Sequence, residues 1–214
     1  VWSREDLTRM CEICIRHQVL IVSDEIHSDL IFHGKKHIPT ATLSEEIAAY
    51  VITCTSGTKT FNLAGIQAAA IVFPNQELKG VYDRFWVNLD IHRNNAFSSV
   101  IMETAFNEGE EWLEQLLEYI SGNFDFIREY CREHIPQIKP NLPDATYLVW
   151  LDCRELGMSN EELKNFMIHK AGLGLNEGWS FGRSLSGYMR LNAACPRSVI
   201  EKALKQLEAA VAAL

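Results

Sequence analysis

The chain has 214 residues, 47% of them hydrophobic and 22% charged, and 20 Lys and Arg against 28 Asp and Glu leave a formal charge of −8. That size and mixture fit one large globular domain, or one and a half ordinary ones, with ample capacity for a core, and argue against a disordered or fibrous protein. An acidic chain without a Lys/Arg-rich stripe would be repelled by phosphates, which argues against nucleic acid as a partner. Apolar runs such as Ala68 to Phe73 fall far short of the roughly 20 residues that cross a bilayer, so no membrane span is expected.

Val1-Trp2-Ser3-Arg4-Glu5 lacks the basic start and apolar centre of a signal peptide, so export is not expected. Ser3-Arg4-Glu5-Asp6 resembles a capping box with Asp6 in place of Glu, and it predicts a helix running to about His17. Within it, Cys11 and Cys14 form a C-x-x-C pair, but Leu7, Met10, Cys11, Cys14 and Ile15 repeat at the spacing of one buried helix face. No second Cys/His pair lies nearby to complete a metal site, so both are read as core, and the six cysteines as reduced thiols of a cytoplasmic protein.

Val19 to Val22 reads as a short strand ending in Ser23-Asp24-Glu25, apolar on both faces as a parallel sheet covered by helices requires. His33 and His37 follow at i, i+4, but Gly34 and Pro39 argue against a helical metal pair. Glu45 to Ala49 reads as a short helix, Tyr50 to Cys54 as a second strand and Ala68 to Phe73 as a third. This order predicts an α/β domain. Helical patterns fill Gln76 to about Asn107, and an amphipathic segment runs from Trp112 to about His134, with Trp112, Leu116, Tyr119 and Ile120 as its core stripe. Pro136, Pro140 and Pro143 mark a loop. Beyond it, Tyr147 to Leu151 is strand-like, Asn160 to Lys170 helical and Tyr188 to Asn192 strand-like, and Pro196 opens a last helix through Ala213. Gly172, Gly174, Gly178, Gly182 and Gly187 follow a helix rather than a strand, so they make no dinucleotide fingerprint and read as a loop near a substrate entrance. The domains expected are 1–110 and a smaller α+β domain at 111–214, bridged by the long helix.

Thr55-Ser56-Gly57-Thr58-Lys59 follows directly on a predicted strand, and Asp24 ends the preceding one. Ligands in open α/β sheets bind beyond the carboxyl ends of strands, so the two charges would face one crevice. A solvated lysine and a helix-capping aspartate remain the plainer alternative.

Val22-Ser23-Asp24-Glu25-Ile26-His27, together with Ser56-Gly57-Thr58-Lys59-Thr60-Phe61-Asn62-Leu63-Ala64-Gly65, resembles the fold type I pyridoxal-phosphate (PLP) enzymes of the class I/II aminotransferase group. The likeness is greatest to the MalY/PatB branch, which includes cystathionine β-lyases and other carbon–sulfur lyases. Glu111-Trp112-Leu113, Tyr119-Ile120-Ser121-Gly122-Asn123, Tyr188-Met189-Arg190-Leu191-Asn192 and Cys195-Pro196-Arg197 agree with it in order. The resemblance implies the aspartate-aminotransferase-like fold: part of a large α/β domain followed by a small C-terminal α+β domain.

The same resemblance implies the roles. Lys59 corresponds to the lysine that binds PLP as a Schiff base and later moves the substrate's α-proton, work suited to an amine that burial and neighbouring charge can tune. Asp24 corresponds to the carboxylate on the pyridine nitrogen, an ion pair worth roughly 4 kcal/mol at about 4 Å and an effective dielectric of about 20. His27 stands where many aminotransferases carry a tyrosine, and this departure favours the lyase branch. Ser56, with Thr58 behind it, corresponds to a phosphate contact. Gln67 replaces an arginine often found on the phosphate, and Arg93 is a secondary phosphate candidate. Arg190 corresponds to the arginine whose planar fork grips the substrate carboxylate. No metal is implied.

The function expected is α,β-elimination from a thioether amino acid such as cystathionine, giving pyruvate, ammonia and a thiol, with transamination on the same machinery as the alternative. Family members are homodimers. Val1 matches a point well inside the family's pattern, past an Asn-Pro segment, so the chain corresponds to the C-terminal half. A truncated, non-catalytic fragment or interaction module is therefore the alternative from another class.

Overall fold

A computed structural model describes residues 1–91 and 95–214, and Arg93 lies outside the described residues. The chain forms two compact units, Val1–Gln115 and Leu116–Leu214. In the first, helix α1 (Arg4–Arg16) begins where the Asp6 N–H donates to the Ser3 hydroxyl at 3.1 Å. Strand β1 (Ile21–Asp24), helix α2 (Glu45–Ala48), strand β2 (Val51–Thr55), the one-turn helix α3 (Gly57–Thr60) and strand β3 (Ala70–Val72) follow. Helices α4 (Gln76–Asn88), α5 (Ser98–Glu108) and α6 (Glu110–His134) come next.

The sheet order is β1-β2-β3, with β1 parallel to β2 and β3 antiparallel to β2. The parallel sheet expected from the first strand is found in β1 with β2, whereas β3 runs antiparallel, because an apolar strand pattern encodes burial but not direction. Cys11, Ile21, Ile47 and Val51 form a buried cluster, with Met10, Cys14 and Ile15 packed against it, so α1 and α2 cover one face of the sheet through β1 and β2. The two cysteines contribute to that packing. Val22 and Val72 are 62% and 60% exposed, so the expected cover on both faces is not supplied within this unit.

The second unit adds β4 (Lys139–Asn141), β5 (Leu148–Asp152), α7 (Asn160–Asn165, continued as a π-turn to Lys170), β6 (Asn176–Glu177), β7 (Tyr188–Asn192) and α8 (Arg197–Val211). Its antiparallel sheet has the order β4-β5-β7-β6. Alternation sends Val149, Leu151, Met189 and Leu191 into the core and leaves the paired Trp150 and Arg190 on the opposite face. Strand β4 lies within the expected proline loop, because Pro140 sits on an edge strand where a missing donor costs nothing. The glycine-rich loop contains β6 and two 3-10 turns. Gly178 permits their close packing, since a Cβ there would stand 2.4 Å from the Leu185 carbonyl oxygen.

Helix α6 turns only part of the expected stripe inward. Ile120, Phe124, Ile127 and Cys131 are buried, whereas Trp112 and Tyr119 are about half exposed. The Tyr119 hydroxyl instead accepts from the Arg197 N–H at 2.8 Å. Pro196 caps α8 rather than lying inside it. Fully buried Asn123 ties α6 to the segment after β7. Its amide donates to the Ala193 and Cys195 carbonyls at 2.8 and 3.0 Å, and its oxygen accepts from Arg197 Nε at 2.7 Å.

Asn123→Leu keeps the branched shape but strands these groups, which should cost about 1–3 kcal/mol. Urea unfolding checks this, and a loss below about 0.5 kcal/mol would contradict the assigned role.

Candidate active site

Strands β1 and β2 run in parallel, with Asp24 opposite Cys54, so their carboxyl ends reach the same edge of the sheet. The pairing continues one residue further, where the Glu25 N–H donates to the Cys54 carbonyl at 2.8 Å. Asp24 closes β1, and Ser56, following β2, caps the helix that carries Lys59.

The charges of Lys59 and Asp24 both act on His27. Its pKa is lowered from the ordinary 6.5, first by burial and then by the Lys59 charge, against an opposing upward pull from Asp24. Asp24 also acts on Cys54, whose thiol is raised by burial and then by that carboxylate. Asp24, His27 and Lys59 thus form one electrostatic group at the strand ends.

Ser56 is buried and has a local task. Its oxygen accepts from the Thr58 N–H at 3.0 Å, lies 2.8 Å from the Thr58 hydroxyl, and donates to the Ala68 carbonyl at 2.6 Å. Gly57 lets α3 press onto α5, since a Cβ there would stand 2.9 Å from Met102 Cε. A cavity of about 230 Å3 beside Ser56 is lined by Ala68, Ser98, Met102 and Phe106 among others. Gln67 is exposed, with a left-handed φ of 53°.

In the second unit Arg190 is half-buried on the sheet face away from the core. Its guanidinium stacks 4.3 Å over the Phe181 ring, and one terminal nitrogen donates to Asn176 Oδ1 at 3.1 Å. Its Nε is buried and has no hydrogen-bond partner among the described residues. An unpaired buried donor costs about 1–3 kcal/mol, which an arriving acceptor recovers.

A buried carboxylate beside Asp24 escaped the sequence reading. Glu25 accepts from His37 Nε2 at 2.7 Å, the Thr40 N–H at 3.0 Å and the Ser23 hydroxyl at 2.9 Å. Burial pushes its pKa up, but these hydrogen bonds outweigh burial and leave it below the ordinary 4.5. His37 lies twelve residues away across an irregular loop, so no periodicity announces the pair. The acidic residue inside the quoted motif was the available signal. Among the described residues no group of three or more His, Cys, Asp or Glu is arranged to hold a metal ion, and no helix is long and apolar enough to cross a membrane.

The profile of the family "aminotransferase class I and II" matches residues 1–207. Cystathionine beta-lyase PatB of Bacillus subtilis is 39% identical over 210 residues, covering 98% of this chain and 54% of PatB. Protein MalY of Escherichia coli is 30% identical over 215 residues, covering 100% of this chain and 54% of MalY. The crystal structure of cystalysin from Treponema denticola, which contains a PLP cofactor, matches with a TM-score of 0.95 at 31% identity, over 100% of this chain and 54% of that one. The chain spans about half the length of the curated relatives it matches.

The two shifted groups predict separable acid sensitivity. A lowered His27 removes stability as pH falls through the ordinary 6.5, because the unfolded chain takes the proton first. A lowered Glu25 does the same as pH falls through the ordinary 4.5. Glu25→Gln should lose about 1–3 kcal/mol near neutrality and flatten only the lower limb. Urea unfolding across pH checks this, and an unchanged lower limb would contradict it.

Proposed function

The chain belongs to the class I and II aminotransferase family, and from that premise we propose that it carries the lysine-bearing part of the site of a PLP-dependent carbon–sulfur β-lyase. The observation that carries the reading is the parallel pairing of β1 with β2, which brings Asp24 and the helix bearing Lys59 to one edge where both charges act on His27. This donor set fits PLP: a carboxylate for its ring nitrogen at the end of β1, and an amine for its carbonyl carbon on the helix that follows β2. PLP, when bound, supplies a ring that takes up the electron pair left at the substrate's α-carbon.

Lys59 would hold the cofactor through that carbonyl carbon, and its amine would take the α-proton of the substrate. Asp24 holds a proton at the ring nitrogen. His27, lowered by burial, offers a neutral imidazole beside both. Ser56 would hold the phosphate, its hydroxyl donating there in place of the Ala68 carbonyl. Arg190 grips the α-carboxylate, and its unpaired Nε supports this because a carboxylate would supply the missing acceptor. The substrate is an amino acid with a thiolate leaving group at its β-carbon, such as cystathionine, and the products are pyruvate, ammonia and the thiol. The 39% identity to a cystathionine beta-lyase supports this choice over transamination.

We place the whole protein in a homodimer. Helix α4 supports that placement, because it buries no residue and exposes Val81, Phe85 and Val87.

Coupled pyruvate release from cystathionine with added PLP tests the reading. Lys59→Ala should abolish release, and Arg190→Lys should lower kcat/KM at least about tenfold, since an ammonium does not reproduce the fork. Absence of pyruvate from every thioether amino acid would overturn the lyase assignment, and amino transfer to a keto acid would replace it with transamination.

A further inference from the structure

Lys59 stands on a helix of four residues, too short to hold itself in place. Its position therefore depends on what grips α3 from outside. At the start of α3 the grip is the Ser56 cap and the contact of Gly57 with Met102. At its end, the fully buried Thr60 donates its hydroxyl to Asp29 Oδ2 at 2.7 Å, a long-range bond between residues 31 apart.

Asp29 belongs to the turn that follows β1. The Ser28 N–H donates to the Glu25 carbonyl at 3.0 Å, and the Leu30 N–H donates to the His27 carbonyl at 3.1 Å. This turn therefore moves with His27. The opposite end of the bond is the residue next to Lys59. A charge-assisted hydrogen bond of this length is among the stronger side-chain contacts, and burial of Thr60 shields it from competing water.

We propose that the Thr60–Asp29 hydrogen bond is a positioning contact that sets where the Lys59 amine stands relative to Asp24 and His27. This rests on the roles proposed above for those three residues. The bond joins two separate segments, the turn carrying His27 and the helix carrying Lys59, so its loss changes their relative placement. The Ser56 cap and the Gly57 packing still hold the start of α3, so Lys59 swings at its free end rather than unfolding.

Thr60→Val removes the hydroxyl and keeps the shape, Thr60→Ala removes it with less crowding, and Thr60→Ser keeps it. The first readout is the NMR titration of the His27 ring in the chain without cofactor. The charged groups acting on that ring are Lys59 and Asp24, with the Cys54 thiol beside Asp24. Thr60→Val and Thr60→Ala should move the His27 midpoint, because the Lys59 charge acting on that ring is displaced, and Thr60→Ser should restore it.

The second readout is pyruvate release with PLP, where the hydroxyl-free variants should lose about tenfold in kcat with KM nearly unchanged, and Thr60→Ser should recover it. If Thr60→Val does not fold, Thr60→Ala decides. An unchanged His27 midpoint in folded, hydroxyl-free protein would overturn the proposal. A wild-type chain that binds no PLP would instead contradict the reading of the site, and the cofactor-free titration would still judge the brace.

Discussion

Parallel pairing of β1 with β2 is the constraint on which the candidate site depends. Two strands running the same way end at the same edge, so Asp24 and the helix bearing Lys59 become neighbours although 35 positions separate them in the chain. The pairing is fixed from both sides. Ile21 and Val51 pack with Cys11 and Ile47 beneath the sheet, and the Glu25 N–H extends the ladder one residue beyond Asp24. A one-residue slip would turn these apolar side chains outward and carry Asp24 to the wrong face.

Around that edge, side chains on neighbouring residues act as anchors. Glu25 binds the returning loop at His37 and Thr40, and Thr60 binds the turn at Asp29. Short polar contacts thus fix the backbone on either side of the charged groups, while the charged groups remain accessible to a ligand. The second unit applies the same principle to Arg190. Phe181 and Asn176 orient its guanidinium and leave Nε unpaired.

Local chemistry was legible in the sequence where one segment decides the outcome. Ser3 announces a helix start, Tyr188 to Asn192 forms the strand its alternation predicts, and the 3.6-residue spacing of Leu7, Cys11 and Cys14 marks the packed face of α1. What escaped depends on distant partners. The direction of β3, the edge strand at Pro140 and the pair at β6 arise from neighbouring strands that local pattern does not name. Trp112, Tyr119 and Ile120 share the spacing of a core stripe, yet α6 buries Ile120 and leaves Trp112 and Tyr119 about half exposed. The strand-end positions of Asp24 and Lys59 were readable because an apolar run leads into each. The bonds of Glu25 and Thr60 were not, since their partners lie in irregular backbone.

The central claim is that Lys59 is the amine that holds the cofactor, and attachment chemistry tests it without reference to turnover. The PLP-loaded chain is reduced with borohydride, digested, and mapped by peptide mass spectrometry. The account predicts a pyridoxyl group on Lys59 at one per chain. A group carried by Lys35 or Lys36, or by no lysine at all, would contradict it.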